Sequence, residues 1–229
     1  MVEYDSAAAA VRQQALVGRR SSGVLLLADI SGYTDLLTSA QAEFSAKIVH
    51  HITDRVFRGT TPAFIVNEIE GDALFVYAPG EEGAALYRAT LQQLEAYADA
   101  FYHAMEELKA AETSESQVLE CISMKFIVHF GEFVVNEIGP FVKLVGSDVI
   151  LAHRLLKNSV SSDSYFLFTR SFLALNPEPE QAKTKPLFEQ VKYFGNVEVG
   201  VRTFDYQAEH EQRHGSSHDH LTRRGGSIT

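Results

Sequence analysis

Two aspartates stand where chain geometry lets acidic groups do chemistry. Asp29 closes the compact apolar run Gly23 to Ala28, as the last residue of a buried strand would. Asp72 sits in the dipeptide Gly71-Asp72 between the strand-like runs Phe64 to Ile69 and Ala73 to Ala78, a tight hairpin signal. Two carboxylates brought to one point repel unless a cation neutralises them. Hard divalent ions such as Mg²⁺ or Mn²⁺ favour that oxygen environment and bridge to phosphate oxygens. Ser31 and Gly32 follow Asp29 directly, small residues ahead of a helix whose free N–H groups suit phosphate. The spacing alone leaves a plainer reading open, in which Asp29 caps the helix and Asp72 fills a turn.

The elements that must position these groups follow from periodicity. After the turn Ile30 to Thr34 a helix carries Leu37, Phe44, Ile48 and Ile52 on one face, closed by Gly59 and Pro62. A second helix places Leu91, Leu94, Ala98, Phe101, Met105 and Leu108 on a stripe that packs on a sheet. A polar connection, Ala111 to Gln117, leads to a long strand from Leu119 to Phe130. Gly131 is read as the start of a hairpin to Val134-Val135, and Phe141 to Val145 as a further strand. Gly146 opens a helix through Leu156, and Tyr165 to Phe168 is a strand. Asn176 to Pro186 reads as a loop, and Phe188 to Tyr193 with Val197 to Phe204 as a hairpin about Gly195-Asn196. The order β-α-β-β-α-β is the split pattern of ferredoxin-like sheets, so the fold class is α/β (α+β) with extra C-terminal strands.

The 229 residues suit one large domain, assigned to residues 23–206. Residues 1–22 read as a polar leader, a frayed terminus in preference to a short helix from Ala7 to Leu16. Residues 207–229, with His210, His214, His218 and His220, read as a disordered polar tail. The formal net charge of −10 disfavours nucleic acid. No run approaches the ~18 apolar residues of a membrane helix, so no membrane partner is expected. Cys121 is the one cysteine, expected as a buried, inert thiol in an apolar strand, and a reducing, cytoplasmic location follows. His129 is expected as a satisfied core or interface histidine, and neither it nor His153 is given a catalytic role.

Four motifs carry a resemblance. Leu27-Ala28-Asp29-Ile30-Ser31-Gly32-Tyr33-Thr34 resembles the first metal motif of class III nucleotidyl cyclase domains, and Glu70-Gly71-Asp72-Ala73 the second. Phe126-Ile127-Val128-His129-Phe130-Gly131-Glu132 resembles the strand leading to that family's dimerisation arm. Gly146 to Arg154 resembles the helix with its transition-state residues. The motifs stand in family order from Leu25 to about Leu156, and most resemble a bacterial branch of uncharacterised cyclase homologues. The resemblance implies a head-to-tail homodimer with sites shared between chains. It implies two Mg²⁺ or Mn²⁺ ions held by Asp29, the Ile30 carbonyl and Asp72, clamping a nucleoside triphosphate. Ser31, Gly32, Tyr33 and Thr34 would cradle it, and Arg154 of the partner chain would stabilise charge on the reacting phosphorus.

Three positions depart from the family pattern. Glu68 stands where adenylate cyclases read adenine with a lysine, and guanylate cyclases place a glutamate there. Its companion position is Lys143, and Ile150 stands where an asparagine orients the ribose. The arm between His129 and Gly146 is also about three residues short of the family spacing. In the family's geometry Glu68 and Lys143 are expected to face each other across the dimer, inside the base pocket, unless both sit at a solvated rim. The resemblance therefore implies a degenerate cyclase-fold protein that binds a divalent metal and a nucleoside triphosphate in a regulatory role. Two alternatives remain: an active nucleotidyl cyclase with a non-adenine base preference, and a structural dimerisation module.

Overall fold

A computed structural model describes residues 5–32, 42–111, 119, 121–176, 183–206, 208 and 210. The described strands are β1 (Arg20–Ser31), β2 (Ile65–Glu70), β3 (Ala73–Pro79), β4 (Ser123–Ile138), β5 (Phe141–Val145), β6 (Tyr165–Thr169), β7 (Lys185–Val191) and β8 (Gly195–Thr203). The described helices are α1 (Ser6–Leu16), α2 (Ala42–Arg58), α3 (Ala84–Ala110), α4 (Ser147–Arg154) and α5 (Arg170–Leu173). One mixed sheet runs β2-β3-β1-β4-β6-β8-β7, with β5 paired to β4. The run β1-α2-β2-β3-α3-β4 is the expected ferredoxin-like core. Tyr33, Thr34, Leu37, most of the connection to Gln117, residues 177–182 of the proline-rich loop and His214, His218 and His220 lie outside the described residues.

Strand alternation sorts β1 onto two cores. Val24, Leu26, Ala28 and Ile30 pack with Ile48 and Ile52 of α2 and Leu94, Tyr97 and Phe101 of α3. Leu25 and Leu27 face the other way, with Phe75, Tyr77, Ile127, and Val149 and Ala152 of α4. Asp29 continues this second series by parity, so its side chain emerges on the face that α4 covers.

The fold departs from the sequence-based expectations at four places. The leader holds a docked helix: Asp5 Oδ1 accepts from Ala7 N and Ala8 N at 3.1 Å, Ala9 is buried, and Arg12 donates to the Pro62 and Ala63 carbonyls. The N-cap and that arginine anchor a terminal segment that read as frayed. Gly131 does not begin a hairpin. β4 runs on to Ile138 because Arg20 to Gly23 of β1 pair with Gly131 to Val134, and the turn comes at Gly139, with φ +63°. Gly131 meets a packing need instead, since a Cβ there would lie 2.4 Å from Asp148 Cγ. Cys121 is exposed and precedes β4, so it is not the buried strand thiol expected. The last hairpin turns at Lys192 to Phe194 rather than at Gly195-Asn196, with Tyr193 at φ +75°.

Candidate functional site

The ladder between β1 and β3 ends at the pair Asp29↔Ala73, next to the turn that holds Asp72. The two aspartates therefore meet at one end of the sheet. Burial, then the neighbouring Asp29 charge, push the Asp72 carboxyl from 3.8 up to about 6. Burial is the larger cause, and the second acid adds to it. Part of the compensation comes from β4, where Lys125 lies opposite Asp29 in the register and its Nζ stands 2.9 Å from Asp29 Oδ2. Burial works against the Lys125 ammonium, but the Asp29 carboxylate outweighs it and holds the lysine above its usual range.

Beyond Asp29, Ile30 and Ser31 pair with Met124 and Ser123 of β4, and among the described residues no strand lies on the β3 side of β1 there. Ile30 is buried and Ser31 half-buried. Gly32 turns the chain at φ +84°, and a Cβ on it would stand 2.3 Å from the Cys121 carbonyl oxygen. Only glycine fits a left-handed residue pressed against another backbone.

Glu68 reaches the same face through a β-bulge. The β2–β3 register shifts between Val66 and Glu68, placing Glu68 opposite Phe75 and leaving Asn67 as the extra residue. Without the bulge, alternation would turn Glu68 to the opposite face. There the Lys143 ammonium donates to Glu68 Oε2 within one chain. The pair is thus intramolecular, which corrects the expectation that it spans the dimer: β2 and β5 lie together in the same protomer. The Glu68 side chain is 25% exposed and that of Lys143 44%.

Arg154 ends α4. The start of that helix is fixed by Asp148, which accepts from Glu132 N at 2.7 Å and lies 3.2 Å from His129 Nε2. The His129 ring holds the Asp148 carboxyl below its usual range. His129 is buried, a core histidine whose Nδ1 meets Thr169 Oγ1 at 3.0 Å and whose Nε2, among the described residues, has the Asp148 contact alone. Along α4, Ile150, His153, Arg154 and, just beyond, Lys157 line a cleft of about 550 Å³. Gln190, Val191 and Lys192 form its other wall. Burial lowers the His153 pKa, and its ring stands edge-on to Phe75 at 4.8 Å. The Arg154 guanidinium lies 5.1 Å from the Tyr193 ring centroid, and its Nε is buried without a hydrogen-bond partner.

The structure thus brings Asp29, Asp72, Ser31 and Gly32 to one sheet end and pairs Glu68 with Lys143, while Arg154 lines a cleft that none of these residues lines. Sequence reasoning did not assign Lys125, Lys157, Lys192 or Tyr193. A lone lysine inside the apolar run Met124 to Phe130 was the available signal for Lys125. Among the described residues no three His, Cys, Asp or Glu side chains could hold a metal together. An ion here would rest on two carboxylates, a backbone carbonyl and ligand oxygens, a set that suits Mg²⁺ or Mn²⁺.

A family model described as a protein of unknown function, DUF2652, matches residues 47–165. The chain belongs to this family. The DUF2652 segment takes in Asp72, Lys125, Lys143 and Arg154 and begins after Asp29. An uncharacterized protein of Mycobacterium tuberculosis, Rv2561/Rv2562, is 33% identical over 105 residues, 44% of this chain and 48% of the relative. The chain thus matches about half the length of that curated relative. Among solved structures, the adenylyl cyclase CyaB from P. aeruginosa has a TM-score of 0.64 at 16% identity, over 82% of this chain and 96% of its own. The guanylyl cyclase Cya2 gives 0.61 at 18%, over 82% and 96%. A class III adenylyl cyclase-like ATP-binding protein from Pseudomonas aeruginosa gives 0.53 at 16%, over 69% and 35%. This DUF2652 protein has the class III cyclase fold. Among its described residues no helix is long and apolar enough to cross a membrane.

Proposed function

We propose that the protein is a cytoplasmic, cyclase-fold homodimer that binds a nucleoside triphosphate through a divalent metal and acts as a regulatory module with little or no cyclase turnover. One observation carries this reading: the β1–β3 ladder ends at Asp29↔Ala73, beside the turn that holds Asp72, so two acids stand at one end of the sheet. Asp29, the Ile30 carbonyl and Asp72 would hold Mg²⁺ or Mn²⁺, which neutralises phosphate charge and polarises the bound oxygens. Lys125, Ser31 and Gly32 stand beside them, with Tyr33 and Thr34 next in the chain. Glu68 and Lys143 would meet the base. Their ion pair satisfies itself without a ligand, which weakens base readout. Ile150, which lines the cleft, offers no hydrogen bond to a ribose. Each missing catalytic hydrogen bond costs ~10²–10³ in rate. A homodimer is supported by the arm tip between β4 and β5, where Ile138 and Phe141 are 63% and 65% exposed. One of the solved relatives of this fold is itself described as an ATP-binding cyclase-like protein.

A second reading, an active cyclase with non-adenine preference, draws on Arg154 and its unpartnered Nε. Incubation with each of the four ribonucleoside triphosphates and Mn²⁺, followed by mass spectrometry, separates the two. The proposal expects triphosphate binding with at most trace 3′,5′-cyclic product. A robust product that disappears in Asp72→Ala establishes the second reading instead. Neither binding nor turnover leaves a structural dimerisation module.

A further inference from the structure

The two walls of the cationic cleft come from distant stretches of chain, and one buried acid ties them together. Arg154 and Lys157 stand at the end of α4, whereas Gln190, Val191 and Lys192 belong to the end of β7 and its turn. Among the described residues none of Arg154, Lys157 and Lys192 has a carboxylate partner. Three cations without a carboxylate partner thus line one cleft in a chain of net charge −10, a local field that favours an anion.

Glu189 precedes Gln190 on β7 and is 6% exposed. It accepts from Ser159 N at 3.0 and 3.1 Å, one contact to each carboxylate oxygen, and from Ser159 Oγ at 2.7 Å. Ser159 lies in the segment that leaves α4, and that segment is pinned at the sheet as well: Asn158 Nδ2 donates to the Leu155 carbonyl at 2.8 Å and to Tyr165 Oη at 2.7 Å. A carboxylate held away from water by neutral donors is costly for stability. What it provides is register between the Arg154–Lys157 wall and the Lys192–Tyr193 wall.

We infer that Glu189 is a positioning residue: by clipping Ser159 to β7 it sets the spacing of Arg154, Lys157 and Lys192 for the phosphate chain of a nucleoside triphosphate. The inference rests on the proposed triphosphate reading and adds to it the residue that shapes the phosphate end. A displacement of about 1 Å is enough to forfeit charge-assisted contacts of this kind.

Charge and position make opposite forecasts here. Glu189→Gln and Glu189→Ala both remove a negative charge near the cations, which by Coulomb attraction alone would tighten anion binding. Glutamine keeps an acceptor for Ser159, and alanine does not. The test is calorimetric titration of the full-length protein with inorganic tripolyphosphate and Mn²⁺. We expect Glu189→Ala to bind roughly tenfold more weakly, the loss of about one charge-assisted contact, and Glu189→Gln to stay within about threefold of wild type. Amide exchange at Ser159 should quicken in the alanine variant alone. If both variants bind as wild type does, or both bind more tightly, the positioning role is overturned while the triphosphate reading stands. If the wild type itself takes no tripolyphosphate, both fall. Should Glu189→Ala fail to fold, Ser159→Ala, which deletes the shortest of the contacts, carries the test, and unchanged affinity in it overturns the inference.

Discussion

Asp72→Asn is expected to raise the thermal midpoint of the metal-free protein above about pH 6 and, at the same time, to abolish its response to Mn²⁺. The opposing signs share one cause. Burial and the Asp29 charge push the Asp72 carboxyl from 3.8 to about 6 in the folded chain. Between those values the folded protein keeps a proton that the unfolded chain has released. Stability therefore falls as pH rises through this window and levels off above it. Asparagine has no charge to desolvate and none to set against Asp29. Its advantage should be absent below about pH 4, grow from there to about pH 6, and then stay constant. On the proposed clamp, Mn²⁺ would bind the folded wild type and stabilise it by mass action, whereas the variant would lack the second carboxylate. Thermal melts from acid to neutral pH, with chelator and with Mn²⁺, check both halves. A midpoint difference that does not vary with pH would sink the account of Asp72 as half of a crowded pair.

Gly32→Ala should be the most damaging single change at the site, costing about 3–4 kcal/mol of stability: ~1–2 from the left-handed backbone alone, and the remainder from the Cβ forced on a carbonyl. Gly32 holds φ +84°, and the added carbon would lie 2.3 Å from Cys121 O, which belongs to backbone and cannot swing away as a side-chain tip would. Gly71→Ala is the matched control. It has φ +62° with nothing within 4 Å of an added Cβ, so it bears the backbone penalty alone. Urea denaturation of the two variants measures the gap between them. If Gly32→Ala loses no more than Gly71→Ala, the Gly32–Cys121 approach is not a fixed feature of the turn that follows β1.

Much of this molecule was readable because its signals are local. The β1 run, the α3 stripe and the Gly71-Asp72 turn are each encoded within a short stretch of chain, and their order implies the ferredoxin-like core that the sheet displays. Long-range effects were hidden. Gly131 looked like a turn because glycine marks turns, yet it makes room for Asp148, which arrives from the far side of the β4–β5 arm. α1 read as a frayed terminus because its anchor, Arg12, bonds to carbonyls about fifty residues away, at Pro62 and Ala63. The face on which Glu68 emerges depends on a bulge that no period-2 pattern records. The carboxylates were legible as site residues, but Lys125 was not, because its partner Asp29 is brought opposite it only by the β1–β4 register. The cleft walls are further apart still in sequence, so neither Glu189 nor Tyr193 announces itself.

The central claim is that Asp29 and Asp72 form a divalent-metal clamp for a triphosphate. Its most direct measurement is calorimetric titration of the full-length protein with each of the four ribonucleoside triphosphates, in Mn²⁺ and in chelator, for wild type and for Asp29→Asn. The account predicts binding by the wild type in Mn²⁺ only, and none by Asp29→Asn under either condition. Equal affinity in chelator, or undiminished Mn²⁺-dependent binding by Asp29→Asn, would contradict it.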